Sequence, residues 1–215
     1  MKSSTQKLVT LLLATASLSA CVPLVPLMVG GGMVGGVLVA TDRRTSGSQL
    51  EDEGIELRSA SRINDNLGER VHVNVASYNR QVLLTGEVPS AQDKQLVEQV
   101  VSRVENVRAI VNEISILGNS TLSQRSSDAL VTSRVKAGMV DARDLFANAF
   151  KVVTERGTTY LMGRVSQREA NRATDVTRAT TGVQKVVRVL EIISEDELQG
   201  LLPQAAPAAS GTVKK

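Results

Sequence analysis

The chain has 215 residues, 42% hydrophobic but only 2% aromatic, and a formal net charge of +3. That length allows one or two domains with aliphatic cores, and so small a charge gives no support to whole-protein steering toward nucleic acid. One cysteine, Cys21, and one histidine, His72, rule out an intramolecular disulfide and leave a Cys/His metal cluster without ligands.

In chain order, Met1 to Lys7 carries two lysines and no acid, and "LVTLLLATASL" follows as an apolar run of 11 residues before Ser19 and Ala20. Such a run is too short to span a bilayer and reads as a secretory signal, residues 1–20. Its ending "LSAC" resembles the lipobox of bacterial lipoproteins. The resemblance implies that Cys21 becomes the first mature residue, carrying S-diacylglycerol and an N-acyl chain and no other cofactor. Val22, where inner-membrane retention usually has Asp, implies export to the outer membrane. Lys2 and Lys7 leave with the signal, so the mature side chains carry 23 bases against 22 acids.

Residues 22–40 hold no charge but contain Pro23, Pro26 and five glycines, which make a poor helix and read as a tether. The spacings Gly31 to Gly35 and Gly32 to Gly36 match a small-xxx-small helix contact, a weak signal in so glycine-rich a run. "TDRRTSGSQL" reads as a polar linker closing the segment 21–50, with Arg43 and Arg44 either near anionic headgroups or simply solvated.

The rest is organised by an internal repeat. "QVLLTGEVPSAQDK" at 81–94 returns as "TYLMGRVSQREA" at 159–170, so Gly86 falls on Gly163 and Val88 on Val165. "VHVNVASYNR" and "FKVVTERG" alternate as half-buried strands and end in Asn79-Arg80 and Arg156-Gly157, so each pair predicts a β-hairpin. Ser90 with Asp93, and Ser166 with Glu169 as a capping box, open a helix after each hairpin. "VRAIVNEISIL" and "VQKVVRVLEII" supply a third strand, and a further helix opens each copy, around 51–67 and 128–143. The expectation is an α+β chain of two tandem αββαβ units, at 51–118 and 128–193, joined by a linker at 119–127. Each unit is a three-stranded mixed sheet covered on one face by two helices. Gly86 and Gly163, in mid-strand, are expected to permit close backbone or helix approach. Residues 194–215, rich in Ala, Pro, Ser and Gly beyond 197, are expected to be disordered.

This plan, with "LLTGEV" and "LMGRV", resembles the BON domain over both repeats. With the lipobox and Gly-rich tether, the whole chain resembles the dual-BON outer-membrane lipoproteins, the division- and outer-membrane-stress-associated lipid-binding family.

Catalytic signatures are missing: there is no Gly-x-Ser-x-Gly elbow, phosphate loop or metal-ligand spacing. His72 alternates with Val71, Val73 and Val75 and is expected to point outward into solvent with Asn74. "EDE" at 51–53 suits a helix N-terminus facing water. A non-enzyme is the expectation.

Charge divides the halves. Residues 51–118 hold 11 acids and 7 bases, and residues 121–193 hold 7 acids and 12 bases. Either the basic second half faces anionic phospholipid, or the two signs dock the halves together. In "DALVTSRVKAGMVDAR", the spacing turns Val131, Val135 and Met139 toward the sheet and sets Leu130 and Arg134 on an adjoining stripe, which reads equally as interfacial surface or as core margin. The family resemblance favours the surface, since it attributes lipid binding to this helix. Leu130, Val131, Arg134 and Met139 are then the candidate lipid-binding residues, although relatives can carry a tryptophan at the position of Leu130. The function implied is a periplasm-facing outer-membrane lipoprotein that binds anionic phospholipid and supports envelope integrity at division sites. The alternative is an adaptor that binds outer-membrane β-barrel assembly proteins through exposed strand edges.

Overall fold

A computed structural model describes residues 42–201. The expectations for Cys21, for the tether and for residues 202–215 lie outside the described residues. Among those described, the elements are α1 (Ser46–Leu67), β1 (His72–Tyr78), β2 (Gln81–Val88), α2 (Ala91–Ser102), β3 (Ala109–Asn112), β4 (Ser115–Ile116), α3 (Leu122–Asp141), β5 (Phe150–Glu155), β6 (Thr158–Ser166), α4 (Gln167–Ala179), β7 (Lys185–Ile193) and α5 (Glu195–Leu201). In each repeat an antiparallel hairpin is extended by a parallel third strand, broken into β3 and β4 in the first copy and continuous as β7 in the second. The chain is thus α+β, with two tandem mixed sheets and their helices.

The opening helices begin earlier than their apolar periodicity suggests. Thr45 caps α1 by accepting from Ser48 N–H, and Thr121 forms a capping box with Gln124 at the head of α3. Both threonines sit in stretches that read as linker, because a cap satisfies helix amides without any hydrophobic signal. At the other end, α5 replaces expected disorder with a short helix. Buried Leu198 and ion pairs from Arg164 to Glu197 and Arg168 to Glu195 hold it.

The hairpin turns form as their sequences suggest. Asn79, Arg80, Arg156 and Gly157 have φ of 50°, 65°, 47° and 71°, the left-handed pairs that a type I′ turn requires. Each turn is also tied to the opening helix of its own repeat. Asp52 accepts from Asn79 and Arg80 N–H at 2.8 Å each and from Ser77 Oγ at 2.7 Å. Asp128 accepts from Arg156 N–H at 2.9 Å and Gly157 N–H at 3.0 Å. Asp52 is therefore buried and does not face water as its place in "EDE" suggests. Burial pushes its carboxyl up, but the bonds from Ser77, Arg80, Arg44 and Asn79 win and hold it below its ordinary value.

Gly86 and Gly163 lie where the backbone comes closest. A Cβ at Gly86, whose φ is 105°, would stand 2.1 Å from the carbonyl oxygen of His72, and one at Gly163 would stand 2.5 Å from that of Ala149. Both are sites of close backbone approach across the hairpin.

The helix-facing sides of the two sheets form separate cores, around Ile55, Leu84 and Val97 in the first repeat and Val135, Met139 and Leu161 in the second. The opposite sides pack against each other. Ala76, Tyr78 and Leu83 from the first sheet join Tyr160, Met162 and Val189 from the second in a third core. Around it run ion pairs Lys151–Glu56, Arg156–Glu87 and Arg108–Glu191, and Asn74 Nδ2 donates to Glu155 at 2.7 Å. His72 consequently does not stand in solvent. It is half-buried, its Nδ1 3.0 Å from Glu87 Oε2, because the strand face that points away from the helices is covered by the other repeat.

Candidate membrane-binding surface

The helix α3 is amphipathic in a particular way: its buried stripe is narrow. Asp128, Val131, Val135 and Met139 turn inward, leaving a broad outer face on which Leu122, Leu130 and Val140 are 79%, 58% and 69% exposed. Ala129 and Ala137 lie on the same face, and Phe146 is 41% exposed just beyond the helix. The basic residues Arg134 and Lys136 are exposed on it, and neither has a carboxylate partner among the described residues. Leucines beside unpaired cations are what an interfacial helix presents to a charged bilayer.

Of the four candidate residues, the structure brings two to this surface. Leu130 and Arg134 are exposed. Val131 and Met139 are buried in the core, 4% and 0% exposed, because four-residue spacing keeps them under the helix. They support the surface from beneath: Met139 lies wholly inside, and Val131 reaches only the wall of the groove beside the helix. Periodicity points to neither Leu122 nor Val140, since Leu122 reads as linker and Val140 follows the buried Met139.

A groove of about 370 Å³ runs beside the stripe, lined by Gln124, Ser127, Arg134, Arg156, Gly157 and Gln184. Its amide, hydroxyl and guanidinium groups can donate to an anion, while the carboxylate of Asp128, which also lines it, is engaged by the turn amides of Arg156 and Gly157. Two of the other bases of the second repeat, Lys151 and Arg156, pair with Glu56 and Glu87 of the first, so opposite charge does help dock the halves together. Arg134 and Lys136 take no part in that docking.

The tether enters the fold near this helix. Asp42, Gln49, Lys136, Val140, Ala147 and Phe150 share a groove of about 530 Å³. Arg43 and Arg44 are neither at headgroups nor solvated. Arg43 makes a buried bidentate pair with Glu169, at 2.6 Å and 2.8 Å, and donates to Arg164 O. Arg44 pairs with Asp52 at 2.9 Å and lies 4.4 Å over the ring of Tyr78. Successive arginines therefore pin the chain to the second and first repeats in turn. Burial would raise the carboxyl of Glu169, but Arg43 and Ser166 N–H hold it down; burial pushes Tyr78 up to about 12.

Comparison with known proteins decides the family. A model described as the BON domain matches residues 51–118 and again 127–194. The chain belongs to the BON family. Its two repeats are BON domains. The chain is 37% identical over 194 residues to the outer membrane lipoprotein DolP of Haemophilus influenzae, covering 89% of this chain and 98% of that protein. It is 32% identical over 154 residues to a 21 kDa hemolysin of Actinobacillus pleuropneumoniae, covering 71% and 79%. Among solved structures, the C-terminal domain of CdsD, a structural protein of the type III secretion system of Chlamydia trachomatis, covers 62% of this chain and 96% of its own at 12% identity, with a TM-score of 0.28. At that score the likeness carries no argument.

Proposed function

We propose that this BON protein is an outer-membrane lipoprotein, acylated at Cys21 and facing the periplasm, whose second BON domain lies on anionic phospholipid through the outer face of α3. The observation that carries the reading is that face: three exposed aliphatic side chains in line with two unpaired cations. Its likeness to an outer membrane lipoprotein over most of both chains supports the location. The apolar side chains insert between headgroups while Arg134 and Lys136 contribute about 1 kcal/mol each at a negatively charged surface. Lipid contact of this kind is binding without chemistry, and it supports envelope integrity, including at division sites, by holding a rigid pair of domains against the inner leaflet.

Co-sedimentation with vesicles tests this, using the unacylated chain from Thr41 onward so that Arg43 and Arg44 are kept. Wild type is expected to bind phosphatidylglycerol and not phosphatidylcholine, to release in high salt, and to lose binding at least tenfold in Leu130→Asp and in Arg134→Glu. Equal binding to both lipids, or undiminished binding by folded variants, would turn the search to protein partners, with assembly proteins of the outer-membrane β-barrels first.

A further inference from the structure

One side-chain cluster uses none of the exposed leucines or cations of α3, although α3 residues Arg125, Asp128, Ala129 and Thr132 line the cavity beside it. At the seam of the two BON domains, His72 and Glu87 of the first meet Glu155 of the second, and one donor atom from each lies within 4.8 Å of the others. We propose that His72, Glu87 and Glu155 bind a Zn²⁺ ion that bridges the two domains.

The donor set is a ring nitrogen and two carboxylate oxygens. An imidazole favours zinc over the oxygen-seeking Ca²⁺ and Mg²⁺, and three protein ligands leave a fourth position for water. Donors 2.0–2.2 Å from Zn²⁺ stand roughly 3.4 Å apart in a tetrahedron. His72 Nδ1 and Glu87 Oε2 are already 3.0 Å apart, so rotation of Glu155 toward them completes the triangle. His72 would bind through Nδ1, leaving its proton on Nε2.

Charge around the cluster favours a cation. Glu87 has a cationic partner in Arg156, which holds Oε1, and Ser120 N–H donates to Oε2 at 3.1 Å. Glu155 is more than nine-tenths buried, yet its donor is the neutral amide of Asn74. Asp128, nearby, is satisfied by backbone amides of the β5–β6 turn. A buried carboxylate whose direct hydrogen-bond partner is a neutral amide is costly to hold ionised. A cavity of about 380 Å³, lined among others by His72, Asn74, Asp128 and Glu155, leads to it from the surface. A metal there ties the ends of β1 and β2 to the end of β5, across the interface that Arg156–Glu87 already spans.

The test titrates ZnCl2 into the full-length acylated protein in detergent micelles, after chelator stripping, by isothermal calorimetry, with Co²⁺ absorption as a second probe. One Zn²⁺ per chain is expected, with an upward shift in melting temperature and a tetrahedral Co²⁺ spectrum. Glu155→Gln and His72→Gln are each expected to weaken binding at least tenfold and to abolish both responses. Glu155→Gln keeps the side chain's shape and removes the uncompensated charge, so it folds at least as well as wild type, and circular dichroism checks this. No stoichiometric binding by wild type, or binding that the two variants leave unchanged, overturns the site.

Discussion

Asp52 shows how one side chain organises its surroundings. Its two oxygens satisfy a turn, a serine and an arginine, so Asp52→Ala leaves two amides and the Ser77 hydroxyl without their acceptor and Arg44 with Asp42 alone. It is expected to cost about 3–5 kcal/mol, read by urea unfolding. Gly86→Ala meets both a carbonyl at 2.1 Å and a left-handed φ, and about 3 kcal/mol of destabilisation is expected. The acid limb of stability follows from the same residues. Asp52, Glu87 and Glu169 have folded-state values held down against the pull of burial, so their contribution is full above the unfolded values near 4 and is lost as pH falls through the lowered ones. Glu155 has the opposite sign: its raised value means that stability is lost as pH rises through it. In EDTA, Glu155→Gln should raise the melting temperature at pH 7 and leave it unchanged at pH 3; a lower value at pH 7 would contradict the burial argument. Gly86 was legible in the sequence because a glycine in mid-strand has few explanations. Asp52 was not, since an acid near a helix start is usually solvated, and only the turn that reaches it reveals its role.

At the scale of elements, α3 separates surface from core residue by residue. Leu130→Asp is expected to change stability by no more than about 0.5 kcal/mol, whereas Val131→Asp, one position away, buries a charge and unfolds the domain. Thermal melts of the two variants check this directly. The helices, hairpins and third strands were legible from periodicity, turn residues and caps. What periodicity missed was the second face of each sheet. "VLLTG" and "TYLMG" run apolar residues side by side, and strands that are apolar on both faces are covered on both. Reading them for alternation alone left Leu83, Tyr160 and Met162 without a partner and His72 in solvent.

Across the whole molecule, the two BON domains share a core and a rim of ion pairs, and Arg43 and Arg44 fasten the incoming chain to both. The domains are expected to unfold in one transition. Met162→Ala, in the shared core, should cost about 2–5 kcal/mol and lower the single midpoint without splitting it; two transitions in wild type would contradict this. Arg43→Met strands Glu169 in the interior and should cost about 3–5 kcal/mol. Neither arrangement was visible in the sequence, because partners as far apart as Arg43 and Glu169, separated by 126 positions, leave no local pattern. The opposite charges of the halves hinted at it, and part of that charge does join them.

The central claim is that α3 of the second BON domain meets the bilayer, and the chain's lack of tryptophan makes it directly measurable. A single tryptophan at Leu130, with a control at Leu57 on the exposed side of α1, would be followed by fluorescence as phosphatidylglycerol vesicles are added. A blue shift and protection from aqueous quencher at position 130, with position 57 unchanged, is the result expected. Identical behaviour at both positions, shifted or not, would contradict the assignment of α3 as the membrane surface.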